Sequence, residues 1–132
     1  MSSFVKQVVA EVSHIFEQNP RAIEQGRGVY KSALEKRFND LQKVTNTVEE
    51  KREYESDICH LFIHRATMEI NLRQKKQAKN VFDEAFKHSF CNRSSLVWKA
   101  YISFYIRENK IEEAKKLLSH AVQNVDVIGF YF

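Results

Sequence analysis

A chain of 132 residues amounts to at most one ordinary domain with a modest core, and its 43% apolar and 29% charged residues exclude intrinsic disorder. No apolar run approaches the roughly 18 residues of a membrane span, so a transmembrane segment is not expected. The net charge of +4 permits contact with nucleic acid or an acidic partner but does not demand either. That charge is uneven: residues 1–56 carry 9 basic and 9 acidic side chains, whereas residues 57–124 carry 12 and 7.

The first predicted helix covers about residues 3–18, where Phe4, Val5, Val8, Val9, Val12, Ile15 and Phe16 form a wide apolar face. Asn19-Pro20 stops it, because proline disfavours helical backbone in the residue before it and can itself open the next helix. A second helix, starting at Pro20 or Arg21, uses Ile23, Tyr30, Ala33, Leu34, Phe38 and Leu41. Gly26 and Gly28 each weaken it by roughly 1 kcal/mol relative to alanine. Close helix packing explains Gly26, whereas Gly28 reads as a local weak point.

Thr45-Asn46-Thr47 ends that helix, and Thr47-Val48-Glu49-Glu50 reads as a capping box. It starts a third helix that Val48, Tyr54, Ile58, Leu61, Phe62, Met68 and Leu72 carry to about Arg73. The alternative for residues 45–57 is a charged loop. A fourth helix follows over about 75–88, then a loop at 90–93, and Ser94 or Ser95 caps a fifth. The sixth covers about 111–124. Residues 127–132 are apolar and aromatic without helical period, so the tail 125–132 reads as an association surface or a cover for the open end of the array. The near absence of glycine and proline and the helical period throughout predict an all-α chain. The N-terminal residues 1–9 have neither a basic start nor a cleavage site, so no signal peptide is expected. Two cysteines, Cys59 and Cys91, give no disulfide framework and suit a reducing compartment.

The strongest signal is internal repetition. Trp98, Tyr101 and Phe104 recur every three residues, Glu108-Asn109-Lys110 interrupts the pattern, and Ala114, Leu117, Leu118, Ala121 and Val122 resume it. A gapless shift of 36 residues aligns Ala114-Lys115 with Ala78-Lys79, Leu118 with Phe82 and Ala121 with Ala85. The same shift aligns Trp98 with Phe62, Phe104 with Met68 and Ile106 with Ile70. A more distant copy spans residues 26–34, with Gly26 in the small position and Phe16 ten residues before it, as Met68 precedes Ala78 and Phe104 precedes Ala114. A period in the thirties with two helices per unit predicts an α-solenoid of about three antiparallel helix pairs over residues 1–124, in units of about 1–44, 48–88 and 94–124.

Trp98-x-x-Tyr101-x-x-Phe104, followed by Ala114-Lys115-x-Leu117-Leu118-x-x-Ala121, resembles the HAT (half-a-TPR) repeat of RNA-processing scaffolds. Within that family, residues 95–101 and 120–124 are most similar to the C-terminal repeats of the nuclear RNA-interference-defective silencing factors. Where that group continues with Cys-Pro-Trp, this chain has Val125-Asp126-Val127. The resemblance implies a non-enzymatic scaffold for protein partners in a nuclear RNA-processing or silencing assembly.

Candidate chemistry is sparse. Cys59, His60, His64, His88 and Cys91 include zinc-preferring residue types, but their spacing matches no compact zinc module, and no metal or other cofactor is expected. There is no glycine-framed serine and no phosphate-cradling glycine loop; Asp57-x-x-His60 reads as a surface hydrogen bond. The notable charges are Arg73, Lys75, Lys76, Lys79 and Lys87, with Lys110, Lys115 and Lys116 in corresponding places one repeat later. They form either a solvated outer face or a stripe for direct, sequence-indifferent contact with RNA or an acidic peptide. Tyr105, which replaces the acid of the other copies, is expected to face the groove. Self-association through the C-terminal end is a further expectation.

Overall fold

The periodic apolar positions and well-placed caps set the architecture. The computed structural model describes residues 1–125, and among them every regular element is a helix: α1 (Ser3–Gln18), α2 (Ile23–Leu41), α3 (Val48–Asn71), α4 (Lys75–Ala85), α5 (Ser89–Asn92), α6 (Ser95–Arg107) and α7 (Ile111–Asn124). The chain is therefore all-α over this span. It divides into two compact units, Met1–Arg65 and the residues from Ala66 onward, the division falling inside α3. The apolar tail lies outside the described residues except for Val125, which is buried. No helix among the described residues is long and apolar enough to cross a membrane.

Local chemistry explains the boundaries. Ser2 caps α1 by accepting from the Val5 N–H at 3.2 Å. Asn19 then turns extended ahead of Pro20, and its side chain accepts from the Arg21 N–H at 3.0 Å, so α2 begins at Ile23 rather than at Pro20 or Arg21. The capping box at the start of α3 forms in both directions: Glu50 N–H donates to Thr47 Oγ1 at 3.1 Å, and Thr47 N–H to Glu50 Oε1 at 3.0 Å. Helix α3 runs on from Val48, so a charged loop through residue 57 is not what forms. Helix α4 stops at Ala85, and residues expected as a loop make the short helix α5. The Asn92 side chain closes this corner by donating to the carbonyls of Phe86 and His88, while the Trp98 indole N–H donates to the Asn92 carbonyl at 2.7 Å. The buried Trp98 thus has its polar atom satisfied.

In the first unit α1 packs on α2, with Val5, Val8, Val12, Tyr30, Ala33, Leu34, Ile58, Leu61 and Phe62 as core. Burial pushes the Tyr30 phenol up to about 12. Arg37 links all three helices of the unit. Its guanidinium lies 3.9 Å from the Phe4 ring centroid and 5.0 Å from that of Tyr54, and it donates to Asp40 at 2.6 Å and Asp57 at 2.8 Å. Asp57 is therefore a buried ion-pair partner, not a surface group bonded to His60; the His60 ring nitrogen Nδ1 lies 2.9 Å from the Ser56 carbonyl oxygen.

In the second unit α6 packs on α7, and Phe82 of α4 and Phe86 just beyond it place their rings against α6. Phe82 meets Tyr101 and Phe104 at centroid distances of 4.9 and 6.0 Å, and Phe86 meets Trp98 at 4.4 Å. The turns α3–α4 and α6–α7 are copies of one another. Arg73 and Asn109 both adopt left-handed backbone, with φ of 60° and 59°. Gln74 N–H reaches the Glu69 carbonyl as Lys110 N–H reaches that of Tyr105, at 2.8 and 3.0 Å. Ala78 and Ala114 then sit at the same helical position, both buried. The α1–α2 turn differs in form because of Pro20, yet the next helix again receives its first backbone bond at a buried small residue, from Gly26 N–H to the Ala22 carbonyl.

Equivalence of sequence does not bring equal burial. Phe82 is 1% exposed, whereas Leu118, its partner under the 36-residue shift, is 44% exposed. Phe82→Ala should cost about 3–5 kcal/mol in urea unfolding, and Leu118→Ala less than about 1 kcal/mol, because only the first leaves a cavity. A Cβ added at Gly28 meets nothing within 4 Å. Gly28→Ala should raise stability by about 1 kcal/mol in the same assay, removing the weak point in α2 without a clash.

Candidate functional site

Five of the nine sequence-flagged residues converge on one groove of the second unit. Lys75, Lys76 and Lys79 come from the start of α4, Tyr105 from the end of α6, and Lys110 from the residue that caps α7. Phe104 and Glu108 complete a cavity of about 280 Å³. Phe104 is buried and gives an apolar wall; the four ammonium groups carry the charge. The other four residues do not line it. Arg73 holds the left-handed turn position, Lys87 lies exposed beyond α4, and Lys115 and Lys116 are exposed on α7, where Lys115 pairs with Glu112 at 3.3 Å.

The groove lysines are not equivalent. Lys75 pairs with Glu108 at 2.7 Å and Lys79 with Asp83 at 3.1 Å. Lys110 lies 5.8 Å from the Tyr105 ring centroid without a carboxylate partner among the described residues, and Lys76 likewise has none. The Tyr105 ring is edge-on to Tyr101 and Phe104, at centroid distances of 5.0 and 5.8 Å, and its hydroxyl lies 3.3 Å from that of Tyr101. Burial first, and then this hydrogen bond, push the Tyr101 phenol above its ordinary range. Glu108 escaped the sequence reading because it appeared only as a helix-breaking polar residue. Its local signal is an acid two residues before Lys110, and only the folded turn shows that it meets Lys75.

The remaining titratable groups are placed for structure. Cys59 and Cys91 are buried thiols, and no group of three or more metal-ligating side chains occurs among the described residues. His64 Nε2 lies 3.1 Å from Met1 Sδ; desolvation, then the neighbouring His60, lower its pKa. Burial also lowers that of His88, whose ring stacks on Phe90. Asp40 is desolvated, which alone would raise its pKa, but hydrogen bonds from Arg37, Lys36 and Lys43 and the Lys36 charge bring it down to about 2. A carboxylate held this low, with its oxygens occupied by three cations, is a strut and not a proton carrier.

No protein-family model matches the chain, and neither a curated protein nor a solved structure does.

The Asp40 contribution gives a pH signature. A carboxylate whose folded pKa lies below its unfolded value of about 3.9 stabilises the fold above that value and ceases to do so as pH falls towards 2. Urea midpoints measured from pH 5 to pH 2 should therefore fall, and Asp40→Asn should flatten part of that fall while lowering stability at pH 7 by about 1 kcal/mol, since Lys36 and Lys43 are exposed and solvent screens their charges.

Proposed function

We propose that the chain is a non-enzymatic α-solenoid of about three helix pairs that holds protein partners in a nuclear RNA-processing or RNA-silencing assembly. The observation that carries the reading is the recurrence of one helix–turn–helix geometry. The same left-handed turn and backbone hydrogen bonds occur 36 residues apart, and a buried small residue follows at the first closed turn of the next helix in three places. Units built on a shared turn stack side by side and present equivalent positions along one surface, which is how helical arrays bind peptides and helices. The exposure of Leu118, where Phe82 is covered, fits an array that continues or associates beyond α7. The nuclear RNA setting rests on the likeness of residues 98–122 to HAT repeats.

Direct RNA contact is the second reading, favoured by the gathering of Lys75, Lys76, Lys79 and Lys110 in one groove. Affinity capture of the tagged chain from nuclear extract, with and without nuclease, separates the two. The scaffold reading expects RNA-processing proteins to be recovered equally in both conditions. Recovery that vanishes with nuclease would overturn it in favour of RNA tethering, and weakening of RNA binding with rising salt would then be the expected companion result.

A further inference from the structure

The start of α4 carries Lys75, Lys76 and Lys79 and no acid in its first turn, whereas its repeat equivalent α7 opens with Glu112 and Glu113. Cations at a helix N-terminus oppose the helix dipole, typically by about 0.3–1 kcal/mol each when exposed. Local stability therefore does not select this arrangement, and a bound anion would offset it. The groove already accommodates a carboxylate: Glu108 enters it from α6 and meets Lys75 at 2.7 Å. Lys76 and Lys110 remain for carboxylates from outside, and Phe104 and Tyr105 form an apolar surface between the charged rims.

Resting on the scaffold reading, we propose that this groove docks an acidic peptide segment of a partner protein, its carboxylates meeting Lys76 and Lys110 while one apolar side chain seats against Phe104 and Tyr105. The geometry favours peptide over RNA on three counts. Glu108 and Asp83 already compensate two of the four lysines, which leaves a short charge footprint instead of a track for successive phosphates. Arg73, Lys87, Lys115 and Lys116, which would lengthen such a track, lie outside the groove. Tyr105 is the one partly exposed ring lining the groove, which suits a single apolar side chain and gives no series of platforms for successive bases.

The test is fluorescence anisotropy on the full chain with a short end-blocked peptide of glutamates flanking one leucine, beside the same peptide with glutamine for glutamate and beside oligouridine. The acidic peptide should bind and the glutamine peptide should not. Lys76→Glu combined with Lys110→Glu should weaken binding at least about tenfold, and Glu108→Gln, which releases Lys75, should tighten it severalfold. All three positions border solvent, and circular dichroism of each variant verifies the helical fold; Lys76→Ala with Lys110→Ala gives the same readout with a milder change. Acidic-peptide binding that is absent, or indifferent to these lysines, overturns the proposal, as does oligouridine binding without peptide binding. Capture from nuclear extract separates this failure from that of the scaffold reading. Protein partners recovered equally by wild type and lysine variant would remove the groove and leave the scaffold, whereas partners lost only from the lysine variant would support both.

Discussion

Close approach between consecutive helices is the constraint on which the rest of the structure depends. A short turn brings the second helix back within its first closed turn, and a bulky side chain there would hold the backbones apart. Gly26, Ala78 and Ala114 occupy that position and are buried, and Ala85 and Ala121 repeat the device two turns later. With backbones this near, large residues must come from elsewhere, and in the second unit Phe82, Phe86, Trp98, Tyr101 and Phe104 supply them. The turn itself carries a local cost. Asn109 suits left-handed backbone, whereas Arg73 adopts it without that aptitude and is held by the bonds on either side of it.

The two units meet the demand for a core in different ways. The second relies on stacked rings and satisfies the indole of Trp98 with the Asn92 carbonyl. The first places a guanidinium between Phe4 and Tyr54 and closes it with Asp40 and Asp57. A buried ion pair of this kind gains little over an apolar replacement but is costly to break from one side, so it fixes the arrangement of α1, α2 and α3 more than it adds stability. The groove follows from the same turn geometry: the α6–α7 turn sets Lys110 and Glu108 beside the lysines of α4.

Much of this was legible in the chain. The 3.6-residue period, the Ser94 cap, the Thr47–Glu50 box and the stop at Asn19-Pro20 located most helix ends, because each is a short-range event written in neighbouring residues. The errors were of two kinds. Residues 90–93 read as a loop because a single helical turn has too few residues to show a period. Asp57 read as a surface group because its partner Arg37 lies twenty residues away and nothing local points to it. Tyr105, which stands where the other copies have an acid, lines the groove with Lys75, Lys76, Lys79 and Lys110, whereas Arg73, Lys87, Lys115 and Lys116 do not line it.

By itself, the sequence determined that the chain is helical, where most of the long helices start and stop, and which small residues recur at the repeat position, since these depend on spacing, caps and local steric demand. Only the tertiary structure decided that Leu118 is exposed where Phe82 is covered, that Asp40 and Asp57 share Arg37, and that Glu108 takes Lys75 and leaves Lys76 and Lys110 without a carboxylate partner. The reason is physical. Repeat-equivalent residues have the same local environment, but their burial and pairing depend on what lies opposite them, and that is fixed only when separate helices come together.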